Sequence, residues 1–314
     1  MAKFRINHEP KKKARFFLVR LIAFAAVLIF LLLQVLKFFK KFEETSLSSN
    51  TLVNRPALID TVRTLSEGWK DIGLPTIQGQ NRMIRHQYYF LSYSEQDEQA
   101  EWVAYILTRE NLNKRKLHRF NYFDKDDMIQ GGSSNHFDYM GSGYTRGHLA
   151  PASDMSFDSI ANKESFYMSN ISPQVREFNQ GIWRELEENV RDWARSNEKL
   201  FVVTGPVLKA DVIKKIGKNQ VTVPSLFYKV VLCANGTETK GIGFIIPNTV
   251  SDKPLNEYIY PIDSIEQITG INFFNTIPPS SFIEEAEKSV FKNNWPINKK
   301  RYNQRITVWN KINH

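Results

Sequence analysis

The apolar positions of this chain fall into two regimes. Between Phe16 and Phe39 (FFLVRLIAFAAVLIFLLLQVLKFF) they run almost unbroken, with only Arg20, Gln34 and Lys37 among them. A helix needs about 20 such residues to cross the hydrocarbon of a bilayer. Arg20 and Lys37 sit near the ends, where long cationic side chains reach the interface. A cleaved leader would carry a shorter run followed by small residues; here Lys37-Phe38-Phe39-Lys40-Lys41-Phe42 follows. The pattern predicts an uncleaved transmembrane anchor over 16–39, preceded by a basic segment over 1–15. Residues 40–74 read as a polar tether (EETSLSSNTLVN) and a short helix over Pro56–Gly73, where Leu58, Val62, Leu65 and Trp69 recur at helical spacing.

Beyond residue 74 the apolar residues come in short bursts. HQYYFLSY (His86–Tyr93), EWVAYILT (Glu101–Thr108), KLFVVT (Lys199–Thr204), SLFYKVVLC (Ser225–Cys233) and GIGFII (Gly241–Ile246) have the length and the β-branched and aromatic content of strands. Asn179–Ser196 reads as a helix, because Ile182, Trp183, Leu186, Val190 and Trp193 recur at three and four. Ser280–Val290 reads as a second, shorter one with a serine cap. Strands paired in sequence, with helices interspersed and no regular βαβ alternation, predict an α+β domain with a mostly antiparallel sheet. The domain is placed at 75–292, with 293–314 as a C-terminal extension.

Charge changes the picture more than composition does. A hydrophobic fraction of 42% and a charged fraction of 24% are ordinary for a globular chain, and the single Cys233 excludes an intramolecular disulfide and a cysteine-rich zinc site. The net charge of +9 resides entirely in residues 1–41, where ten Lys or Arg face Glu9 alone. The remainder is neutral, so any polyanion site there must be a local patch. Six cationic residues from Lys3 to Arg15 before the span, against Lys40 and Lys41 after it, predict an N-in orientation with the domain outside the cytoplasm. That places it on a bacterial inner membrane facing the periplasm. A mitochondrial inner membrane is the alternative, since mitochondrial targeting segments are also Arg-rich and acid-poor.

The segment richest in candidate chemistry is GYTRGHLAPASDM, Gly143–Met155. Thirty-one residues after His148 comes Asn179-Gln180-Gly181-Ile182-Trp183, opening the long helix. At about 100° per residue, Glu187 and Arg191 lie about 80° and 120° around that helix from Asn179, on one broad face. Met168-Ser169-Asn170 with Pro173-Gln174, Thr204-Gly205-Pro206-Val207, Phe227-Tyr228-Lys229, Ile246-Pro247-Asn248 and Ile265-Glu266-x-x-Thr269-Gly270 complete an ordered set. In this order the chain resembles the DNA/RNA non-specific endonucleases, the ββα-metal (His-Me finger) nucleases, over about 75–292. The resemblance implies a central antiparallel sheet of about six strands flanked by helices. It also implies a sugar-non-specific endonuclease that cuts DNA and RNA to 5′-phosphate and 3′-hydroxyl ends with one Mg2+, or Mn2+. His148 then corresponds to the general base, Asn179 to the direct metal ligand and Glu187 to the carboxylate that holds metal-bound waters. Arg119 corresponds to a phosphate contact, and Arg146, Asn170 and Arg191 to polar residues around the site. The partners implied are DNA and RNA through the phosphate backbone, with the membrane held through residues 16–39. No base-reading motif is present, and phosphate contacts carry no sequence information.

These residue types suit the chemistry. A phosphodiester repels hydroxide, so hydrolysis needs a base for water and positive charge at the phosphoryl group. Neutral imidazole and arginine forks supply these, and a magnesium ion that keeps most of its waters needs few protein oxygens. Blander readings stand beside each assignment. A lone histidine is more often a hydrogen-bonded structural residue, Asn179 can be a helix cap, and Glu187–Arg191 can be a surface ion pair. Lys114-Arg115-Lys116 is either a polyanion patch or a solvated loop. Lys299-Lys300-Arg301 reads as a solvated face, Asp124 and Asp154 as turn or strand-end residues, and Asn248 as structural. Of the histidines other than His148, only His118 is a candidate to line a groove. One departure from the pattern is Thr145, where the family carries Asp before Arg-Gly-His. It leaves open a catalytically degenerate, membrane-tethered nucleic-acid-binding protein on the same fold.

Overall fold

The alternation in the five apolar segments builds a single seven-stranded antiparallel sheet. The computed structural model describes residues 73–208, 214–235, 238–274, 281–290 and 292–311. The anchor read over 16–39 lies outside the described residues, as does the helix read over 56–73 except for Gly73. Among the described residues no helix is long and apolar enough to cross a membrane.

The sheet is ordered β1 (Arg82–Arg85), β2 (Tyr89–Ser94), β3 (Gln99–Thr108), β6 (Lys199–Pro206), β9 (Leu226–Asn235), β10 (Glu238–Pro247) and β11 (Ile259–Tyr260). Two ribbons stand apart from it: β4 (Thr145–His148) with β5 (Ile171–Gln174), and β7 (Lys215–Ile216) with β8 (Val221–Thr222). The five expected strands are the five longest of the sheet. The ribbons and the edge strands β1 and β11 are too short, or too polar, to show in the apolar pattern.

Side chains on successive strand residues point to opposite faces, and both faces are covered. Leu91, Val103, Tyr105, Val202, Val231 and Phe244 pack on one side with the residues of α3 (Arg184–Asn197). Phe90, Trp102, Val203, Val230 and Ile245 pack on the other, against Ile262 and Ile265 of α4 (Ile262–Thr269) and Ala286 of α5 (Ser281–Lys288). Two short helices, α1 (Arg109–Asn113) and α2 (Ser159–Glu164), lie in the connections. Phe178, Trp183 and Phe227 form an aromatic cluster that seats the start of α3 on the sheet.

The segment read as a C-terminal extension packs against α3. Trp193 Nε1 donates to the Pro296 carbonyl at 2.8 Å, and Asn298 N donates to Asn189 Oδ1 at 2.9 Å. From α6 (Lys299–Thr307), Arg301 Nε reaches Glu188 at 3.0 Å and Arg305 Nε reaches Glu185 at 2.6 Å. Both side chains of the Arg305–Glu185 pair are 0% exposed. Arg305 also donates to the carbonyls of Ser251 and Lys253, which leaves its guanidinium well satisfied inside the protein. Lys299 and Lys300 are exposed, so the solvated reading holds for them and fails for Arg301.

Stranding one member of a buried ion pair typically costs about 3–5 kcal/mol. Arg305→Ala should therefore lower unfolding stability by about 3–5 kcal/mol in urea, while Lys300→Ala stays within about 0.5 kcal/mol. Equal urea midpoints for the two variants would show that the pair does not hold α3.

Candidate active site

The short ribbon and the helix after it form a ββα unit. Thr145 pairs with Gln174, Gly147 with Ser172 and His148 with Ile171. Alternation puts Arg146 and His148 on the same side of β4. Gly147, between them, lies flat against the Gln174 side chain, and a Cβ there would collide with it. Asn170, expected among the groove residues, is fully buried and does not line the groove. Its Oδ1 accepts from Ala150 N at 2.9 Å, and its Nδ2 donates to the carbonyls of Ala150 and Ser165 at 3.0 and 2.7 Å. Asn170 therefore clips the chain immediately after His148 and acts through position.

The His148 ring meets Phe166 edge-on at 4.7 Å and lies 5.6 Å from Phe123. Its Nε2 is buried without a hydrogen-bond partner. Burial, and then the guanidinium groups of Arg119 and Arg146, lower its pKa to about 3. Those arginines lie over the same aromatic floor, Arg119 5.2 Å above Phe166 and Arg146 4.5 Å above Phe123. The segment that carries Arg119 and Phe123 is fixed by Asp124, whose carbonyl accepts from Met168 N, and by Asp126. Asp126 Oδ2 meets the buried His86 Nε2 at 2.9 Å and accepts from Ser169 Oγ at 2.5 Å. Although burial opposes it, the contacts with Asp126 and Glu164 raise His86 to about 9, so His86 is a buried structural cation. His118 is exposed and outside the groove, its Nδ1 3.0 Å from the Arg119 carbonyl.

Asn179 does not sit on a regular helix. Phe178–Trp183 is a wide π-type turn with a non-helical Gly181, and regular geometry begins at Arg184. The angular argument from Asn179 to Glu187 fails across this kink, yet both side chains line the same groove. A Cβ at Gly181 would stand 2.9 Å from Asn310 Oδ1, so glycine lets the C-terminal segment close over the turn. Thr145 Oγ1 donates to the Gln174 carbonyl at 2.9 Å and accepts from Asn179 Nδ2 at 3.0 Å. With the hydroxyl hydrogen committed to the carbonyl, only lone pairs face Asn179. The amide must present its nitrogen to Thr145, which leaves its oxygen free.

The blander reading, a surface Glu187–Arg191 ion pair, is not what the structure has: Arg191 pairs with Asp154. Arg191 Nη1 binds Asp154 Oδ1 at 2.9 Å, and Tyr105 Oη donates to Asp154 Oδ2 at 3.0 Å. Asp154 is thus the buried anchor of a groove arginine. Beneath Glu187 lies Lys229, fully buried on β9, its Nζ without a hydrogen-bond partner and 4.9 Å from the Trp183 ring centroid. Burial pushes Glu187 up to about 7, against the pull of Lys229 and Arg191. Sequence reasoning missed Lys229 and Asp154 as site supports. The available signal for Lys229 was a cation inside the apolar run SLFYKVVLC; Asp154 gave none.

His148, Arg119, Arg146, Asn179, Glu187 and Arg191 share one groove of about 370 Å3. Among the described residues no group of three or more His, Cys, Asp or Glu side chains is placed to cage a metal. One free amide oxygen beside one carboxylate fits a hard cation that keeps most of its water, and does not fit a thiolate- or imidazole-bound metal.

Comparison with known proteins agrees with this geometry. Residues 72–280 match the DNA/RNA non-specific endonuclease family. Human mitochondrial endonuclease G is 35% identical over 218 residues, covering 65% of this chain and 72% of that protein. Nuclease C1 of Cunninghamella echinulata is 32% identical, with 63% and 84% covered. A chain of the EndoG/EndoGI crystal structure superposes with a TM-score of 0.59 at 32% identity, over 64% of this chain and 88% of that one. The chain belongs to the DNA/RNA non-specific endonuclease family.

Proposed function

We propose that this nuclease is a metal-dependent, sugar-non-specific endonuclease. It hydrolyses DNA and RNA phosphodiesters to 5′-phosphate and 3′-hydroxyl ends. The observation that carries the reading is the unpartnered, buried Nε2 of His148 in the same groove as Arg119, Arg146, Asn179 and Glu187. Arg119 and Arg146 bind the phosphate oxygens and gather charge as attack proceeds. His148 Nε2 takes a proton from the attacking water. The new P–O bond forms as the bond to the 3′-oxygen breaks, and that oxygen takes its proton from a second water in the groove. Asn179, through its free oxygen, and Glu187, through bound waters, would hold a Mg2+ or Mn2+ ion. When bound, the ion supplies positive charge near the leaving oxygen. An anionic phosphate between the two arginines offsets their field at His148 and raises its basicity when substrate is present.

The membrane reading rests on the 16–39 run and the charge bias around it. The anchor holds the nuclease domain outside the cytoplasm with the N-terminus inside. A bacterial inner membrane is the setting, with a mitochondrial one as the alternative; several relatives carry "mitochondrial" in their names.

His148→Ala should abolish plasmid cleavage and leave binding within a few-fold, whereas Asn179→Ala should raise the metal midpoint. Full cleavage by the His148 variant, or cleavage indifferent to excess chelator, removes the mechanism. The pH profile is a second test. Free His148 stays neutral far below the usual 6.5, because its pKa is lowered to about 3. Its ring resonances in NMR of the free protein should therefore not titrate between pH 7 and 5. A midpoint near 6.5 would contradict the burial argument.

Thr145 separates enzyme from degenerate scaffold. Thr145→Val removes the acceptor for Asn179 Nδ2 and should raise the metal midpoint about 10- to 100-fold. Thr145→Asp keeps an acceptor and adds charge, so it should lower the midpoint without changing the products. A native chain silent at high metal concentration, switched on by Thr145→Asp, would establish the scaffold reading instead. For topology, a periplasmic phosphatase reporter fused after His314 should be active; activity only of a cytosolic reporter reverses the orientation.

A further inference from the structure

The catalytic groove has a neighbour. A second cavity of about 350 Å3 lies on the far side of Arg119, Arg146, Asn179 and Gln180, which line both. Its other walls differ in character: Phe123, Tyr139, Tyr144, His136 and Met140, joined by Thr145. Its mouth is formed by the turn His136–Tyr139 and the residue after it, held by an Asn135–Asp138 capping box. Asp138 is itself tied to Asn219 N and Nδ2 at 3.0 and 2.8 Å, so the turn is fixed in place.

Two features of this mouth are unexplained by folding. Met140 and Phe137 are 69% and 67% exposed, the highest values for large apolar side chains among the described residues. They stand together on one turn, and His136 packs against Phe137 with centroids 3.9 Å apart. Of the two, Met140 lines the cavity, and apolar surface left exposed beside a cavity marks a candidate binding surface. Tyr144, which also lines the cavity, has Lys214 Nζ 5.0 Å from its ring centroid, which adds positive charge there.

We propose that this cavity receives an unpaired nucleobase of the strand being cut, stacked among Tyr144, His136 and Met140 while Arg119 and Arg146 hold the adjoining phosphate. The proposal rests on the nuclease reading above and adds a substrate preference to it. The shared arginines make the cavity continuous with the phosphate site, so backbone held there delivers a base to one side. Aromatic and thioether walls take any base by its π-face, which fits a lack of sequence reading. A duplex base is already stacked on both faces and must be flipped out to enter, an expense that a single strand avoids. The cavity therefore favours single-stranded DNA and RNA over duplex.

The test separates base from phosphate. The full-length His148→Ala chain in detergent is titrated with fluorescent (dT)12 and with a 12-unit abasic deoxyribose-phosphate chain of equal charge. The abasic chain should bind at least about 10-fold more weakly. Met140→Ala/Tyr144→Ala should weaken (dT)12 by about 10-fold and leave the abasic chain within about 2-fold. Tyr144→Phe, which keeps the ring, should retain the preference for bases. Equal affinity for the two chains, or equal weakening of both by the double variant, overturns the pocket and leaves the nuclease reading intact. No binding to either chain overturns both.

Discussion

The hydrogen bond from Thr145 to the Gln174 carbonyl gives the groove its direction. It consumes the only hydrogen the hydroxyl has, and so dictates which end of the Asn179 amide turns toward Thr145. A carboxylate at that position would also accept from the amide without needing to be oriented. The departure from the family pattern therefore removes a negative charge and preserves an orientation. The carbonyl that makes this possible belongs to the paired strand of the ribbon, so the ribbon's register and the aim of the Asn179 amide oxygen are one constraint.

Two of the buried side-chain atoms that lack a hydrogen-bond partner lie around this point. His148 Nε2 and Lys229 Nζ are each left without a partner close to the groove. Such groups are destabilising in isolation, and they are supported here by aromatic rings and by fixed counter-charges. Phe166 and Phe123 flank the imidazole, Trp183 receives Lys229, and Asp154 fixes Arg191. The imidazole and the ammonium are thus held by packing and charge, while the residues around them are positioned by hydrogen bonds.

Much of this was legible before any coordinates. Five strands announced themselves because both faces of the sheet are covered, which makes their apolar runs long and continuous. His148, Arg119, Arg146, Asn179, Glu187 and Arg191 were found through the ordered motifs, and the structure brings all six to one groove. Asn248 was read as structural, and its side chain does tie Val175 and Pro173 to Pro224. What failed was local geometry. Helical periodicity carries no warning of a π-type turn, so the angle from Asn179 to Glu187 was wrong although the meeting was right. Asp154 is the turn residue it was read as, its N donating to the Pro151 carbonyl, and only its side-chain role was missed, because the partners, Tyr105 and Arg191, lie 49 and 37 residues away. Asn170 was placed at the groove because motif resemblance does not distinguish a residue that faces substrate from one that braces the chain behind it.

The clasp between α3 and α6 ties the site to residues far along the chain. Glu185 meets Arg305 across 120 residues of chain, and Asn310 closes over Gly181 from still farther along. Closing loops of this length costs conformational entropy. The sheet shares that cost, since Tyr228 Oη donates to the Glu101 carbonyl across 127 residues. A chain cut short before Arg305 would keep every strand of the sheet and lose the support under the turn that carries Asn179.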